Sequence, residues 1–149
     1  MLSSRFHRVL LIGSGLLCAG IGTAILFAPV LFHSTSGIDL GNNPSLMSEV
    51  RAQGGTLLAL GVVILAGGLV PGITRISTAL AATVYLAIGG SRLLSLLLDG
   101  WPGSSLIAAT IIELTIGAAC AWALVRSQQT DWTPLPFACR TPRAEGGRA

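Results

Sequence analysis

Gly89-Gly90-Ser91-Arg92-Leu93-Leu94-Ser95-Leu96-Leu97-Leu98-Asp99-Gly100-Trp101-Pro102 reads as the end of an apolar helix that carries one cation and stops at a tight turn. Leucine dominates it, so its surroundings are hydrocarbon or packed side chains, and the permanent charge of Arg92 is costly in either without a partner. Reading backward, Tyr85, Gly89, Arg92, Ser95 (or Leu96) and Asp99 follow one another at spacings of three or four. Such spacing collects them in one stripe along a helix, and a polar stripe must face protein or water rather than lipid. Reading forward, Gly100-Trp101-Pro102-Gly103 is a compact turn, and a second apolar run begins directly after it. Two long helices joined so briefly are antiparallel neighbours.

The rest of the chain repeats this plan. Its 149 residues are 52% hydrophobic and only 10% charged, with a mean hydropathy of +0.76, outside the range of soluble globular domains. Apolar segments over about 9–30, 49–70, 76–98 and 104–125 are each long enough to cross a bilayer. The first exceeds a signal-peptide core and lacks a small-x-small cleavage site. Leu17 also stands where a lipoprotein signal needs a small residue before Cys18, so the segment is expected to stay as a first helix. Gly15, Ala19 and Thr23 recur every four residues along it, a small-residue face suited to close helix packing.

Phe27-Ala28-Pro29 is expected to close that helix, with 32–44 as a loop carrying His33 and Asp39. His33, with no second ligand at metal spacing, reads as an ordinary loop histidine. Ser45 or Ser48 is a candidate cap for the second helix, Pro71-Gly72 stops it, and Arg75 marks the next turn. Residues 127–149, with their prolines and scattered arginines, read as a mobile tail. The expected fold is therefore all-α, a four-transmembrane-helix bundle of antiparallel up-down topology over residues 1–126.

There is no lysine, and nine arginines against six acids give a net charge of +3. Arg5, Arg8, Arg75 and the arginines from Arg126 onward fall on one side of such a bundle, and the segments with Asp39 and Asp99 on the other. The positive-inside rule then puts both termini in the cytoplasm. The arginines mark topology; without a basic face interleaved with aromatics, no nucleic-acid partner is expected.

Depth turns the stranded arginine into part of a cluster. Arg92 lies about 10 Å below the outer end of its helix, and Glu113 about 13 Å below the same surface on the next one, at 1.5 Å per residue. The two are nearly level, so an Arg92–Glu113 ion pair is the most economical arrangement. An unpaired charge there would cost about 2.5–3.5 kcal/mol on insertion scales. Glu49 and Arg51 enter from the same side on the second helix, with Gln53 on the Glu49 face. The candidate cluster is Glu49, Arg51, Arg92, Asp99 and Glu113, supported by Gln53, Tyr85 and Ser95. Such a group is either a ligand or proton site or a lock on helix register.

No nucleophile with a histidine base, metal-spaced ligand set or phosphate-cradling glycine loop is visible, so no catalytic residue, metal or cofactor is expected. Cys18, Cys120 and Cys139 form no disulfide framework and no CxxC pair.

Several of these positions also occur together in a recognisable order. They are Phe27-Ala28-Pro29 with Gly37-Ile38-Asp39-Leu40, then Glu49-x-Arg51-x-x-Gly54-Gly55, then Gly90-x-Arg92-x-x-Ser95-x-x-x-Asp99-Gly100-x-Pro102, and finally Glu113. Over about 9–125 this set resembles a widespread bacterial family of small four-helix membrane proteins, a domain of unknown function. The resemblance implies a bundle in the inner membrane and brings no established activity. The residues themselves suggest a non-enzymatic binding or transport-related module whose outer-half polar pocket takes a small molecule or lipid head group. The alternative is an accessory or assembly subunit whose small-residue faces dock onto a larger membrane complex, or onto further copies of itself.

Overall fold

The structure is a computed structural model describing residues 2–130, with side chains over 5–127. Among these residues the secondary structure is helical: α1 (Leu2–Phe27), α2 (Pro29–Ser34), α3 (Pro44–Leu69), a 3-10 turn (Pro71–Ile73), α4 (Thr74–Asp99) and α5 (Ser104–Thr130). Within them Arg5–Phe27, Pro44–Leu69, Pro71–Asp99 and Ser104–Ser127 are long and apolar enough to cross a membrane, which suggests a multi-pass membrane protein. Their outer surfaces agree with that solvent. Phe27, Leu97 and Leu98 are each more than 70% exposed, as suits side chains whose neighbours are lipid tails.

The helix ends differ from the sequence reading for local reasons. α1 begins at Leu2, ahead of the apolar run expected from about residue 9, so Arg5 and Arg8 are helical. At its other end Ala28 leaves the helical region (φ −133°, ψ 55°), and Pro29, whose fixed φ suits a first helical position, starts the separate helix α2. His33 is thus on a helix instead of a loop. α3 is capped by neither Ser45 nor Ser48. The Asn43 side chain accepts from the backbone N–H of Ser45 and Leu46, and Pro44 follows at the first helical position. Between α4 and α5, Gly100 and Gly103 have φ of +91° and +97°, a conformation that favours glycine and lets the chain reverse around Trp101-Pro102. α5 continues to Thr130; the remainder of the expected tail lies outside the described residues.

α1 packs mainly on α3, and α4 on α5. The first pair closes through glycines. A Cβ on Gly15 would meet the backbone of Leu65, one on Gly61 the backbone of Ala19, and one on Gly22 the backbone of Leu58 and the carbonyl oxygen of Gly54. The small face expected on α1 therefore runs through Gly15, Ala19 and Gly22, and Thr23 is exposed. The second pair is reciprocal: Gly89 of α4 seats Leu114 of α5, and Gly117 of α5 seats Leu86 of α4.

Side chains join the two pairs. The Tyr85 hydroxyl donates to the Ser14 carbonyl (2.6 Å), and Ser77 Oγ donates to the Val63 carbonyl (3.0 Å). His7 Nε2 donates to the Ala123 carbonyl at 3.1 Å, and beside it Phe6 meets Trp122 edge-on, with Arg126 stacked 4.2 Å from the Trp122 ring centroid. Leu11, Ile64, Ala81, Ala82 and Cys120 form one buried cluster. Ile25, Leu40 and Val50 form a second, against Ile21, Phe32, Met47 and Leu57.

Backbone contact at Gly22 leaves no flexible side-chain end to yield. Gly22→Ala is expected to destabilise the protein by about 1–3 kcal/mol, the usual range for overpacking, and Gly20→Ala, which meets nothing within 4 Å, by less than about 0.5 kcal/mol. Thermal unfolding of the two variants in the same detergent, read by the fraction still monodisperse, checks the contrast.

Candidate functional site

Arg92 and Glu113 owe their level placement to the two glycines beside them. Arg92 stands one turn after Gly89, and Glu113 one turn before Gly117. Where those glycines let α4 and α5 approach, the longer polar side chains next to them can meet across the seam. Arg92 Nε and Glu113 Oε2 are 3.0 Å apart. The contact is an ion pair without hydrogen-bond alignment: both atoms are shielded from solvent, and neither has a hydrogen-bond partner among the described residues. Only one edge of each group is engaged. The Arg92 side chain is 35% exposed and that of Glu113 12%, which leaves the guanidinium Nη groups and Glu113 Oε1 without a described partner.

They border a cavity of about 530 Å³, within the size range of small-molecule sites. It lies between the two helix pairs, walled by residues from α1 to α5 and from the segment joining α2 to α3. Ile21, Ile25, Leu57, Ile88 and Leu106 give it an apolar wall, while Arg92, Glu113, Gln53 and His33 are its larger polar groups. Cys18, Ser36, Ser91, Ser95 and Ser105 also line it. Some of these hydroxyls are already committed as donors: Ser91 Oγ to the Ala87 carbonyl (2.8 Å) and Ser95 Oγ to Asp99 Oδ2 (2.8 Å). Cys18 Sγ donates to the Leu57 carbonyl (3.3 Å), tying α1 to α3 at the cavity wall.

The eight residues singled out from the sequence separate into two groups here. Arg92, Glu113, Gln53 and Ser95 meet at the cavity. Asp99 touches it only through its bond to Ser95. Glu49 is exposed at the start of α3, and Arg51 turns the other way, its Nη1 donating to the Leu26 carbonyl at the end of α1. Tyr85 shares the α4 stripe but is buried against α1. A one-dimensional stripe fixes which residues share a helix face. It does not say which neighbour each part of that face will meet, and α4 presents Tyr85 to α1 and Arg92 to α5.

His33 is the polar residue that sequence reasoning set aside and the fold brings in. Its Nδ1 lies 2.8 Å from the Pro29 carbonyl oxygen, which can only accept, so Nδ1 carries the proton and Nε2 is the lone-pair nitrogen of the neutral ring. Only the Pro29 start of α2 hinted at a helical His33; nothing in the spacing linked it to Arg92. Among the described residues, no three His, Cys, Asp or Glu side chains are grouped so as to hold a metal ion.

The sequence model of a family described as "Domain of unknown function (DUF4345)" matches residues 6–124, which include every residue of this site. No curated protein and no solved structure matches the chain.

Glu113→Ala strands a cation in a low-dielectric setting and is expected to cost about 2.5–3.5 kcal/mol. The double variant Arg92→Leu/Glu113→Leu removes both charges and should recover most of that loss. Unfolding of both variants and the wild type in identical lipid nanodiscs measures the coupling.

Proposed function

The chain belongs to the DUF4345 family, and we propose that it is a non-enzymatic multi-pass protein of the bacterial inner membrane that holds a small molecule or lipid head group in the cavity beside Arg92 and Glu113. The observation that carries this reading is the half-engaged ion pair. A lock on helix register would gain from two-sided, fully buried contact, whereas here the pair meets through one contact, the Arg92 side chain is 35% exposed, and both residues line a cavity of about 530 Å³. In a membrane interior, ionisable groups beside a cavity are the usual mark of a ligand or transport path. Asp99 then acts beside the cavity by orienting Ser95, while Glu49 and Arg51 stand outside it.

The proposal includes the topology. We take the helices as an antiparallel up-down bundle with both termini cytoplasmic. Supporting this, partners on α3 fall in number as those on α1 rise, from Gly15 against Leu65 to Gly22 against Leu58. Phe6 meets Trp122, which brings the start of α1 beside the end of α5. Arg5, Arg8, Arg75 and Arg126 then share the cytoplasmic end, and the cavity lies in the outer half of the bundle.

The accessory-subunit reading leaned on small-residue faces. Gly15, Ala19 and Gly22 are engaged with α3 of the same chain, so that surface is not available to a docking partner.

Exchange of the pair, Arg92→Glu with Glu113→Arg, is expected to keep the fold and lose the bound molecule. Native mass spectrometry of gently purified wild type and exchange variant reads both. Ligand retention by a stably folded exchange variant would favour the lock, and a protein co-purifying in fixed ratio would favour the subunit. Alkaline phosphatase fused after Ala149 should be inactive and a fusion within 35–42 active; the reverse pattern would overturn the topology.

A further inference from the structure

The charge balance of the cavity narrows its ligand, provided the cavity is the binding site proposed above. Arg92 and Glu113 line the same cavity and cancel. A purely anionic ligand on Arg92 would sit against Glu113, and a purely cationic one on Glu113 would sit against Arg92. A head group with both charges and no net charge meets neither penalty. The unengaged atoms have the same duality. The Arg92 Nη groups are donors in a planar fork that suits phosphate or carboxylate oxygens. Glu113 Oε1 and His33 Nε2 are acceptors, the latter because Nδ1 is committed to the Pro29 carbonyl. Ser91 and Ser95 add no donor there, since they spend their protons on Ala87 and Asp99.

We propose that the cavity recognises a zwitterion bearing a phosphate and a primary ammonium. The phosphate accepts from Arg92, the ammonium donates to Glu113 and to Nε2 of His33, and Ile21, Ile25, Leu57, Ile88 and Leu106 hold the apolar part next to the head. An ammonium with N–H groups is required, because a trimethylated one offers His33 Nε2 and Glu113 Oε1 no donor. This chemistry is shared by phosphatidylethanolamine and by soluble glycerophosphoethanolamine, both phosphodiesters with one negative and one positive charge, and the experiment separates them.

Native mass spectrometry of the full-length protein is run against phosphatidylethanolamine, phosphatidylcholine and phosphatidylglycerol with matched acyl chains, and against soluble glycerophosphoethanolamine. Phosphatidylethanolamine should be retained roughly tenfold better than either other lipid, the ratio expected for one charge-assisted hydrogen bond. Retention of soluble glycerophosphoethanolamine to the same degree also upholds the zwitterion and makes its source aqueous; much weaker retention makes it the lipid. Glu113→Gln should move the preference toward phosphatidylglycerol, and His33→Ala, which leaves the ion pair intact, should narrow the ethanolamine-to-choline ratio. Equal or better retention of phosphatidylglycerol by the wild type, or an unchanged ratio in His33→Ala, overturns the zwitterion while leaving the cavity as a binding site. Retention of none of the four probes overturns the zwitterion, and a gently purified wild type that carries no bound molecule at all overturns the binding site as well.

Discussion

Between α4 and α5 the guanidinium of Arg92 and the carboxylate of Glu113 stand 3.0 Å apart, in segments apolar enough to cross a membrane. In hydrocarbon no water can replace a missing partner, so each charge constrains where the other helix must be. That constraint can be met only if the helices come close enough for the side chains to reach. Gly89 and Gly117 provide the approach by seating Leu114 and Leu86. Pair and glycines together fix the register of the two helices. Weakening either would leave a charge without its counterpart.

The other half of the molecule solves a different problem with the same residue type. Among the described residues α1 and α3 have no ion pair between them, and their contact depends on backbone meeting backbone at Gly15, Gly22 and Gly61. Dispersion contacts gain most at such distances, and lipid offers no hydrophobic force to substitute for them. The two pairs touch each other less extensively, held by Tyr85 to Ser14 and Ser77 to Val63. A cavity at their junction follows from that architecture. Each pair is closed on itself through small residues, while the junction holds longer side chains, including Arg92 and Gln53, that leave space between them.

Much of this was legible in the chain as written. Leucine-rich runs of bilayer length give the helices, and Gly100-Trp101-Pro102-Gly103 gives the break between α4 and α5. The short link and the depths of Arg92 and Glu113 from it were enough to pair them, because helical rise is a fixed quantity. The sequence misleads at the start of α3, because Ser45 and Ser48 are as competent as caps as Asn43, which takes the role. Less accessible was the fate of a residue whose partner lies on a helix distant in sequence. Tyr85 and Arg92 share a stripe but face different helices. Arg51, two residues from Glu49, turns to the end of α1 instead of joining the cavity.

His33 marks the boundary between the two kinds of information most clearly. By itself the sequence determined an all-helical chain with four apolar helices of membrane-spanning length and the meeting of Arg92 with Glu113, because hydropathy, helical rise and a short turn are local properties. Only the tertiary structure decided that α2 carries His33 into the wall of the cavity that holds that pair, with Nδ1 tied to Pro29 and Nε2 as the remaining acceptor. It likewise decided that the small face of α1 is used within the chain. Both depend on how two helix pairs pack against each other, and that packing is set by side-chain shapes at contacts far apart in sequence, which no periodicity along one helix encodes.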